Sequence, residues 1–273
     1  MIKLAADSNV GLIRHNNEDN YILSTDLSFS EWHSFQKSPY VSPLVKTSKY
    51  GALLVVADGM GGANAGEVAS AIAVETIQQQ FTPDILRETV YDDQSALEFM
   101  KAVVSQADLN IVQRSKVDPS ALGMGTTIVM AWILGDKAYI CWSGDSRCYV
   151  FNEINGLVQL SKDHSYVQQL VDRGELEKEL MHNHPLSNII TRCLGDPDHG
   201  ARPEARIYQL HDGDIIMLCS DGLNGICKDR QICDTMAQYS ETLATCMGKL
   251  IEAALSGGGY DNVTVALAHV HLI

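Results

Sequence analysis

The sequence predicts an α+β fold, a four-layer α/β/β/α sandwich in which two antiparallel β-sheets are flanked by helices. Several short segments are apolar at nearly every position, as expected of strands that are buried on both faces. Three longer stretches place apolar residues at helical spacing on one side only, so each should cover another layer. Two packed sheets with helices outside accommodate both patterns.

The predicted strands lie at 51–57, 126–134, 138–142, 214–220 and 263–270. Two of the connections are very short, "GDK" at 135–137 and "SGDS" at 143–146. Loops of this length join antiparallel neighbours, whereas a parallel crossover needs a dozen residues or more. We therefore predict β-hairpins at both places.

The predicted helices cover 68–77, 97–111 and 243–254. The chain has no internal repeat, low-complexity tract or convincing linker, which predicts a single domain over residues 1–273. Residues 27–50 are interpreted as a hairpin insertion, for which we hypothesise a docking or regulatory role, with disorder as the alternative. Residues 163–200 are predicted to form short helices and irregular chain, which in compact domains are often functional.

Composition limits the possible partners. The 273 residues include 34 acidic and 20 basic side chains, giving a net charge of −14. This balance argues against binding to nucleic acid or to an anionic membrane, but it suits a site that concentrates divalent cations. We find neither a signal-peptide core nor an apolar run of about 20 residues, so we expect a soluble, cytoplasmic protein. The seven cysteines include no CxxC pair, which disfavours a zinc site and fits a reducing compartment.

Four aspartates share one kind of position in the sequence. Asp58, Asp145, Asp221 and Asp261 each stand at the end of a predicted strand, beside glycine or another small residue. A carboxylate next to a buried strand is costly unless it is hydrogen-bonded, paired or bound to metal. Hard oxygen ligands without histidine or cysteine favour magnesium or manganese (Mg2+ or Mn2+) over zinc. The alternative for Asp58 is a plain Asp-Gly turn.

A further charged element is "RHNNEDNYIL" at 14–23, in which Glu18 and Asp19 open another strand. The planar guanidinium of Arg14 suits a phosphate group, which it can bind through two hydrogen bonds. A salt bridge from Arg14 to Glu18 is the alternative that the spacing equally allows.

Six short motifs follow one another along the chain. They are R-H-N-N-E-D (14–19), D-G-M-G-G-x-x-x-G-E-x-A-S (58–70), G-T-T (125–127), G-D-S-R (144–147), S-D-G-L (220–223) and G-G-Y-D-N-V-T (258–264). This series resembles the metal-dependent protein phosphatases of type 2C, and the resemblance runs from Asp7 to Val270. The segments "DHSYVQQLVDRGEL" and "HPLSNIITRCLG" resemble the flap of the compact bacterial branch, which places a flap within 163–200.

The resemblance implies a fold of two sheets flanked by helices and a centre that holds two divalent cations. By this resemblance, Asp58 bridges both cations, the Gly59 carbonyl binds one, and Asp221 and Asp261 bind the other. Asp145, together with Asp221, would hold a third, weaker cation.

Two more residues receive roles from the resemblance. Glu18 would act on the centre through a water molecule, and Arg14 would bind the phosphate. The implied reaction is hydrolysis of phosphoserine and phosphothreonine in proteins by a hydroxide that bridges the cations, with no covalent intermediate. The expected partner is a phosphoprotein that a serine/threonine kinase modifies, and we expect a monomer.

One position departs from part of the family. Animal members have histidine, the proposed acid for the leaving group, where this chain has Met60. Methionine has no proton to give, so a metal-bound water should serve. We interpret His164, His182 and His184 as surface residues of the flap. A catalytically silent binding module and a hydrolase of a small phosphorylated metabolite stay open as alternative functions.

Overall fold

A computed structural model describes residues 1–29, 31–35, 38–61 and 65–272. Its strands are β1 (Ile2–Asn9), β2 (Asp19–Ser24), β3 (His33–Ser34), β4 (Tyr40–Val41), β5 (Ala52–Met60), β6 (Gly125–Thr126), β7 (Ile128–Leu134), β8 (Lys137–Ser143), β9 (Arg147–Asn152), β10 (Gly156–Gln159), β11 (Glu204–Gln209), β12 (Ile215–Cys219) and β13 (Val263–Val270). Its helices are α1 (Ala65–Gln80), α2 (Pro83–Thr89), α3 (Asp93–Val117), α4 (Tyr166–Asp172), α5 (Asp221–Asn224), α6 (Asp229–Tyr239) and α7 (Leu243–Ser256). Short 3-10 helices cover Pro119–Ala121 and Lys178–Asn183.

The strands form two antiparallel sheets. One has the order β10-β9-β12-β13-β1-β4, and the other has the order β11-β8-β7-β5-β2-β3, with β6 paired to β5. The strand pairs are antiparallel throughout the described residues. The predicted sheet class is therefore confirmed.

Three apolar clusters define the four layers. One lies between the sheets and includes Tyr21, Val56 and Leu218. Another joins α1 and α3 to the sheet of β5, and the third joins α6 and α7 to the sheet of β13. The helices α1, α3 and α7 thus each bury one side, as the one-sided apolar spacing predicted. Within the described chain, no helix combines the length and the apolar character needed to cross a bilayer.

Local sequence explains where the longest helix begins. Asp92 precedes α3, and its carboxylate accepts a hydrogen bond of 2.7 Å from the backbone N–H of Ser95. The Ser95 hydroxyl accepts one of 3.0 Å from the N–H of Asp92 in return. This reciprocal pair satisfies backbone donors that the first helical turn leaves without partners.

The two hairpin predictions have different outcomes. "GDK" joins β7 to its antiparallel neighbour β8, as predicted. The prediction for "SGDS" is wrong, because β8 belongs to one sheet and β9 to the other. This loop crosses between the layers at Gly144, where φ is +120° and an added Cβ would lie 2.5 Å from the Cβ of Thr127. A short loop spans two packed sheets as readily as two paired strands, so its length alone did not distinguish the cases.

The segment 27–50 connects the antiparallel pair β2 and β5. Within it, β3 pairs with β2 in one sheet and β4 pairs with β1 in the other. The described part of the segment is thus fastened to an edge of each sheet. Residues 30, 36 and 37 lie outside the described residues, and a docking role stays a prediction.

Candidate metal centre

A cavity of about 250 Å³ lies at the end of the sandwich where β5 ends. Every site residue predicted from the sequence lines it: Arg14, Glu18, Asp58, Gly59, Asp145, Asp221 and Asp261. Met60, Gly61, Thr127, Asn188 and Ile190 complete the lining among the described residues. Strand ends that are far apart in sequence therefore supply one acidic site. Residues 62–64, which include the last glycine of the D-G-M-G-G motif, lie outside the described residues.

Hydrogen bonds from the G-T-T motif fix the backbone of Asp58. The Asp58 carbonyl accepts from the N–H of Thr127 at 2.8 Å and from the hydroxyl of Thr126 at 2.9 Å. The Thr127 hydroxyl accepts from the Asp58 N–H at 3.2 Å and is 2.7 Å from the Ser146 hydroxyl. The two threonines thus hold Asp58 in place and connect it to the loop that carries Asp145.

Glycine is required where α1 meets the end of β5. A Cβ added to Gly59 would lie 2.2 Å from the carbonyl oxygen of Gly66 and 2.6 Å from that of Glu18. The N–H of Gly66 also donates to the Glu18 carboxylate. The close approach of these backbones brings the Gly59 carbonyl and Glu18 to the cavity that Asp58 lines.

The carboxyl groups of the cavity repel one another. Burial, followed by the charges of Asp19, Asp221 and Asp145, raises the pKa of Asp58 well above its ordinary value. Burial and the charge of Asp261 raise the pKa of Asp221 to about 6. Burial and the charge of Asp221 raise the pKa of Asp145 as well. The cluster therefore favours bound protons or a bound cation.

Asp19 belongs to the same cluster, although the sequence motifs gave it no role. It stands directly opposite Asp58 in the β2–β5 register and is only 2% exposed. Its Oδ2 accepts 2.7 Å hydrogen bonds from the hydroxyls of Ser220 and Thr264. Its Oδ1 has no hydrogen-bond partner in the described structure, and burial raises its pKa to about 7. One signal in the sequence could have identified Asp19. It opens one predicted strand and Asp58 ends the next, so antiparallel pairing of the two strands brings the carboxylates together.

Arg14 pairs with Asp261 at the mouth of the cavity. The distance from Nη2 of Arg14 to Oδ2 of Asp261 is 2.7 Å, and both side chains are partly exposed. The salt bridge to Glu18 that the spacing allowed is replaced by this one. Asn262 holds the loop that carries Arg14, since its side chain donates to the carbonyls of Val10 and Asn16 at 2.9 Å. The guanidinium is thus kept beside the acidic cluster.

The donor set fits a hard divalent cation. As they stand, no three His, Cys, Asp or Glu side chains of the described chain form a group arranged to hold a metal ion. The carboxyl groups of Asp58 and Asp221 instead share a hydrogen bond, and Asp261 pairs with Arg14. These contacts partner some of the buried carboxylate oxygens, and the orphaned Oδ1 of Asp19 shows that they leave the cluster incompletely satisfied. Oxygen donors of this kind suit Mg2+ or Mn2+.

The interpretation of His164 as a surface residue is wrong. His164 is 6% exposed, and its Nδ1 accepts a 3.1 Å hydrogen bond from the N–H of Gly144. The backbone N–H of His164 donates to the Gly144 carbonyl at 2.9 Å. The start of the segment 163–200 is therefore held against the loop that carries Asp145. Sequence position alone could not show that this segment returns to the loop.

A buried ion pair reinforces the same junction. Arg147 donates three hydrogen bonds of 2.7–3.1 Å to the Asp163 carboxylate, and both residues are 8% exposed. Arg147 also donates to Tyr149 at 2.8 Å and lies 3.4 Å from Asp229. Arg147 directly follows the loop 143–146, in which the chain crosses from one sheet to the other.

Replacing Asp163 by Ala is expected to lower the free energy of unfolding by about 3 kcal/mol, because it leaves a buried guanidinium without its main partner. Denaturant unfolding measures this loss. The control is Asp172→Ala, which breaks an exposed pair with Lys162 and should cost less than about 1 kcal/mol. Equal losses in the two variants would contradict the assignment of the buried pair as a structural fastening.

The comparisons with known proteins agree with this architecture. A sequence model of the protein phosphatase 2C family matches residues 42–256. The serine/threonine protein phosphatase PstP of Mycobacterium tuberculosis is 33% identical over 273 residues, which cover 99% of this chain and 45% of PstP. The serine/threonine phosphatase stp of Listeria innocua is 31% identical over 264 residues, which cover 96% of this chain and 94% of stp.

A solved structure resembles the whole fold. The crystal structure of the PstP catalytic domain in complex with two manganese ions is 32% identical, with a TM-score of 0.75 and coverage of 99% of this chain and 100% of that chain. The chain thus spans less than half the length of full PstP but all of its catalytic domain. With a family match over most of its length and relatives more than 30% identical, the chain belongs to the protein phosphatase 2C family.

Proposed function

We propose that this chain is a metal-dependent protein phosphatase that hydrolyses phosphoserine and phosphothreonine in proteins. The observation that carries the proposal is the acidic cavity, which collects carboxylates from several strand ends and has a guanidinium at its mouth. The names of the relatives support the same activity, and the two manganese ions of the PstP catalytic domain support the choice of cation.

The residues that would hold the cations are those that line the cavity. We assign two core cations to Asp58, the Gly59 carbonyl, Asp221 and Asp261, and a third, weaker one to Asp145 with Asp221. When bound, Mg2+ or Mn2+ would lower the pKa of water and neutralise charge on the phosphate. Carboxylates whose pKa values are raised by mutual repulsion gain most from such neutralisation.

The protein's own groups orient the substrate. The guanidinium of Arg14 would exchange its contact with Asp261 for two phosphate oxygens, which its planar fork matches. Glu18, held by the N–H of Gly66, would accept a hydrogen bond from water in the cavity. Met60 lines the cavity without an exchangeable proton, so we assign the proton for the leaving serine or threonine oxygen to water. Most of the rate enhancement would then come from positioning and electrostatics.

The test is release of phosphate from a phosphothreonine peptide in the presence of Mn2+, with excess chelator as the control. We expect release that depends on the cation. A protein that binds Mn2+ by calorimetry but releases no phosphate from any substrate would favour the silent binding module. Release from a small phosphorylated metabolite alone would favour the metabolite hydrolase. Substrates that are targets of a serine/threonine kinase, a monomeric state and a cytoplasmic location stay predictions.

Replacing Arg14 by Ala is expected to lower kcat/KM for the phosphothreonine peptide by about 10²-fold, because it removes the fork that would bind the phosphate. Arg14→Lys should recover only part of the loss, since an ammonium group keeps the charge but not the paired hydrogen bonds. Steady-state kinetics at saturating Mn2+ measures both.

Arg114→Ala is the matched control. Arg114, on α3, is 51% exposed, as Arg14 is, and it pairs at 2.8 Å with Asp118, the residue that follows the helix. It does not line the metal-centre cavity, so its loss should leave kcat/KM within about twofold of wild type. An equal decrease in both variants would contradict a phosphate-binding role for Arg14.

A further inference from the structure

A second cavity, of about 230 Å³, adjoins the metal-centre cavity. The two cavities share Asp145, Asn188, Asp221 and Asp261 as lining residues. The second cavity is therefore within reach of a polypeptide whose phosphorylated side chain enters the metal centre. We call this second space the flanking pocket.

The charged groups of the flanking pocket are already committed to other partners. Arg147 donates hydrogen bonds to Asp163, Tyr149 and Asp229. Asp163 also accepts from Gln159 at 2.9 Å. The carboxylates of the shared wall are the groups assigned above to the cations. Apart from His182, whose pKa is lowered by burial, the pocket therefore offers an incoming side chain no free charge.

Apolar surface remains available beside the polar side chains of the lining, which are Ser165, His182, Ser187, Asn188 and Asn224. Val167 and Met181 come from the flap and are largely buried, while Ile226 follows α5 and is half-buried. Tyr260 stands at the rim with 65% of its surface exposed, next to Asp261. An exposed aromatic ring above aliphatic side chains is a surface that gains by covering an apolar group.

We infer that the flanking pocket receives an apolar side chain of the polypeptide substrate, from a residue near the phosphorylated serine or threonine. The inference rests on the proposed function and goes beyond it by naming a sequence preference. An extended peptide advances about 3.3 Å per residue, so a residue close to the phosphorylated one can reach an adjoining pocket. An acidic side chain at that position would lose its hydration without gaining a free cationic partner, and is disfavoured.

The experiment uses phosphothreonine peptides that differ at one flanking position, which carries Leu, Gly or Glu. Each of the positions on either side of the phosphothreonine is varied in turn. We expect kcat/KM to be about tenfold higher for Leu than for Gly at one position, and lower still for Glu there. Each ratio compares two peptides on the same enzyme, which removes differences in metal loading.

Two variants change the pocket in opposite directions. Ser187→Trp places a large ring in the lining and should bring the Leu-to-Gly ratio close to one. Met181→Ala enlarges the pocket and should move the preference from Leu towards Phe or Trp. Ser105→Trp, on the exposed side of α3 and outside both cavities, is the matched control and should keep the wild-type ratio.

The outcomes separate the inference from the proposed function. Equal hydrolysis of all peptides by the wild-type protein would overturn the inference and leave the proposed function intact. A Leu preference that persists unchanged in Ser187→Trp and Met181→Ala would also overturn it. Failure to hydrolyse any peptide would overturn both. Because the wild-type ratios need no variant, misfolding of either variant does not prevent a decision.

Discussion

Replacing Asp58 by Asn is expected to lower kcat for hydrolysis of the phosphothreonine peptide by at least about 10³-fold at saturating Mn2+. Asn has nearly the same size as Asp, and the backbone of residue 58 is held by Thr126 and Thr127. The change therefore removes the charge proposed to bridge the cations while keeping the strand end in place. Phosphate release and calorimetric titration with Mn2+ measure the two effects separately.

The unfolding midpoint of Asp58→Asn distinguishes the loss of a metal ligand from damage to the fold. In chelator and at high pH, where Asp58 is ionised, its charge repels those of Asp19, Asp221 and Asp145. Asp58→Asn should then have a higher midpoint of thermal unfolding than wild type. A misfolded variant would show a lower midpoint instead. Asp234→Asn, which neutralises an exposed carboxylate on α6, is the control and should change neither activity nor Mn2+ affinity. More than a tenth of wild-type activity in Asp58→Asn would contradict the assigned role.

Much of the fold could be predicted because its strands are buried on both faces. The segments at β5, β7, β8, β12 and β13 are apolar at nearly every position, and this pattern has few other structural explanations. The helices α1, α3 and α7 were predicted for the related reason that each buries one side. The sheet to which β9 belongs was harder to predict. The length of the loop at Gly144 does not specify whether it joins two paired strands or crosses between the two sheets.

Part of the candidate site could likewise be predicted from the sequence, and part could not. Asp58, Asp145, Asp221 and Asp261 could be predicted because a carboxylate beside a buried strand needs a physical reason, and the ordered motifs supplied one. Asp19 received no role because its position opposite Asp58 depends on strand register, which short motifs do not contain. The burial of His164 and the pairing of Arg14 with Asp261 depend on how distant loops meet. Their partners are 20 and 247 residues away in sequence, beyond the reach of local spacing.

The stabilisation of the protein by Mn2+ is expected to be several-fold larger at pH 8 than at pH 5, because Asp19 and Asp221 lose their protons between these values. Burial raises the pKa of Asp19 from 3.8 to about 7 and that of Asp221 to about 6. Below the pKa that it has in the unfolded protein, such a carboxyl group is protonated in both the folded and the unfolded state. The free energy of unfolding then carries no cost for ionising it in the folded protein. Its contribution to stability is lost as pH rises through the folded pKa. For Asp19 alone this loss is on the order of 4 kcal/mol, since one pKa unit corresponds to about 1.4 kcal/mol.

Bound cations replace the protons and should offset this loss. The measurement compares unfolding midpoints in chelator and in Mn2+ at pH 5 and pH 8. Histidines with lowered pKa values, such as His164 and His269, make stability rise with pH. They act in the same way with and without metal, so they cancel in the difference.

Asp108→Asn is the control. Burial raises the pKa of Asp108 as well, but this residue lies outside the metal-centre cavity, where it accepts hydrogen bonds from the backbone of Gly195 and Ala201. This variant should keep the full metal-dependent difference, whereas Asp19→Asn should reduce it. An equal effect of Mn2+ at both pH values would contradict binding of the cation at the acidic cluster.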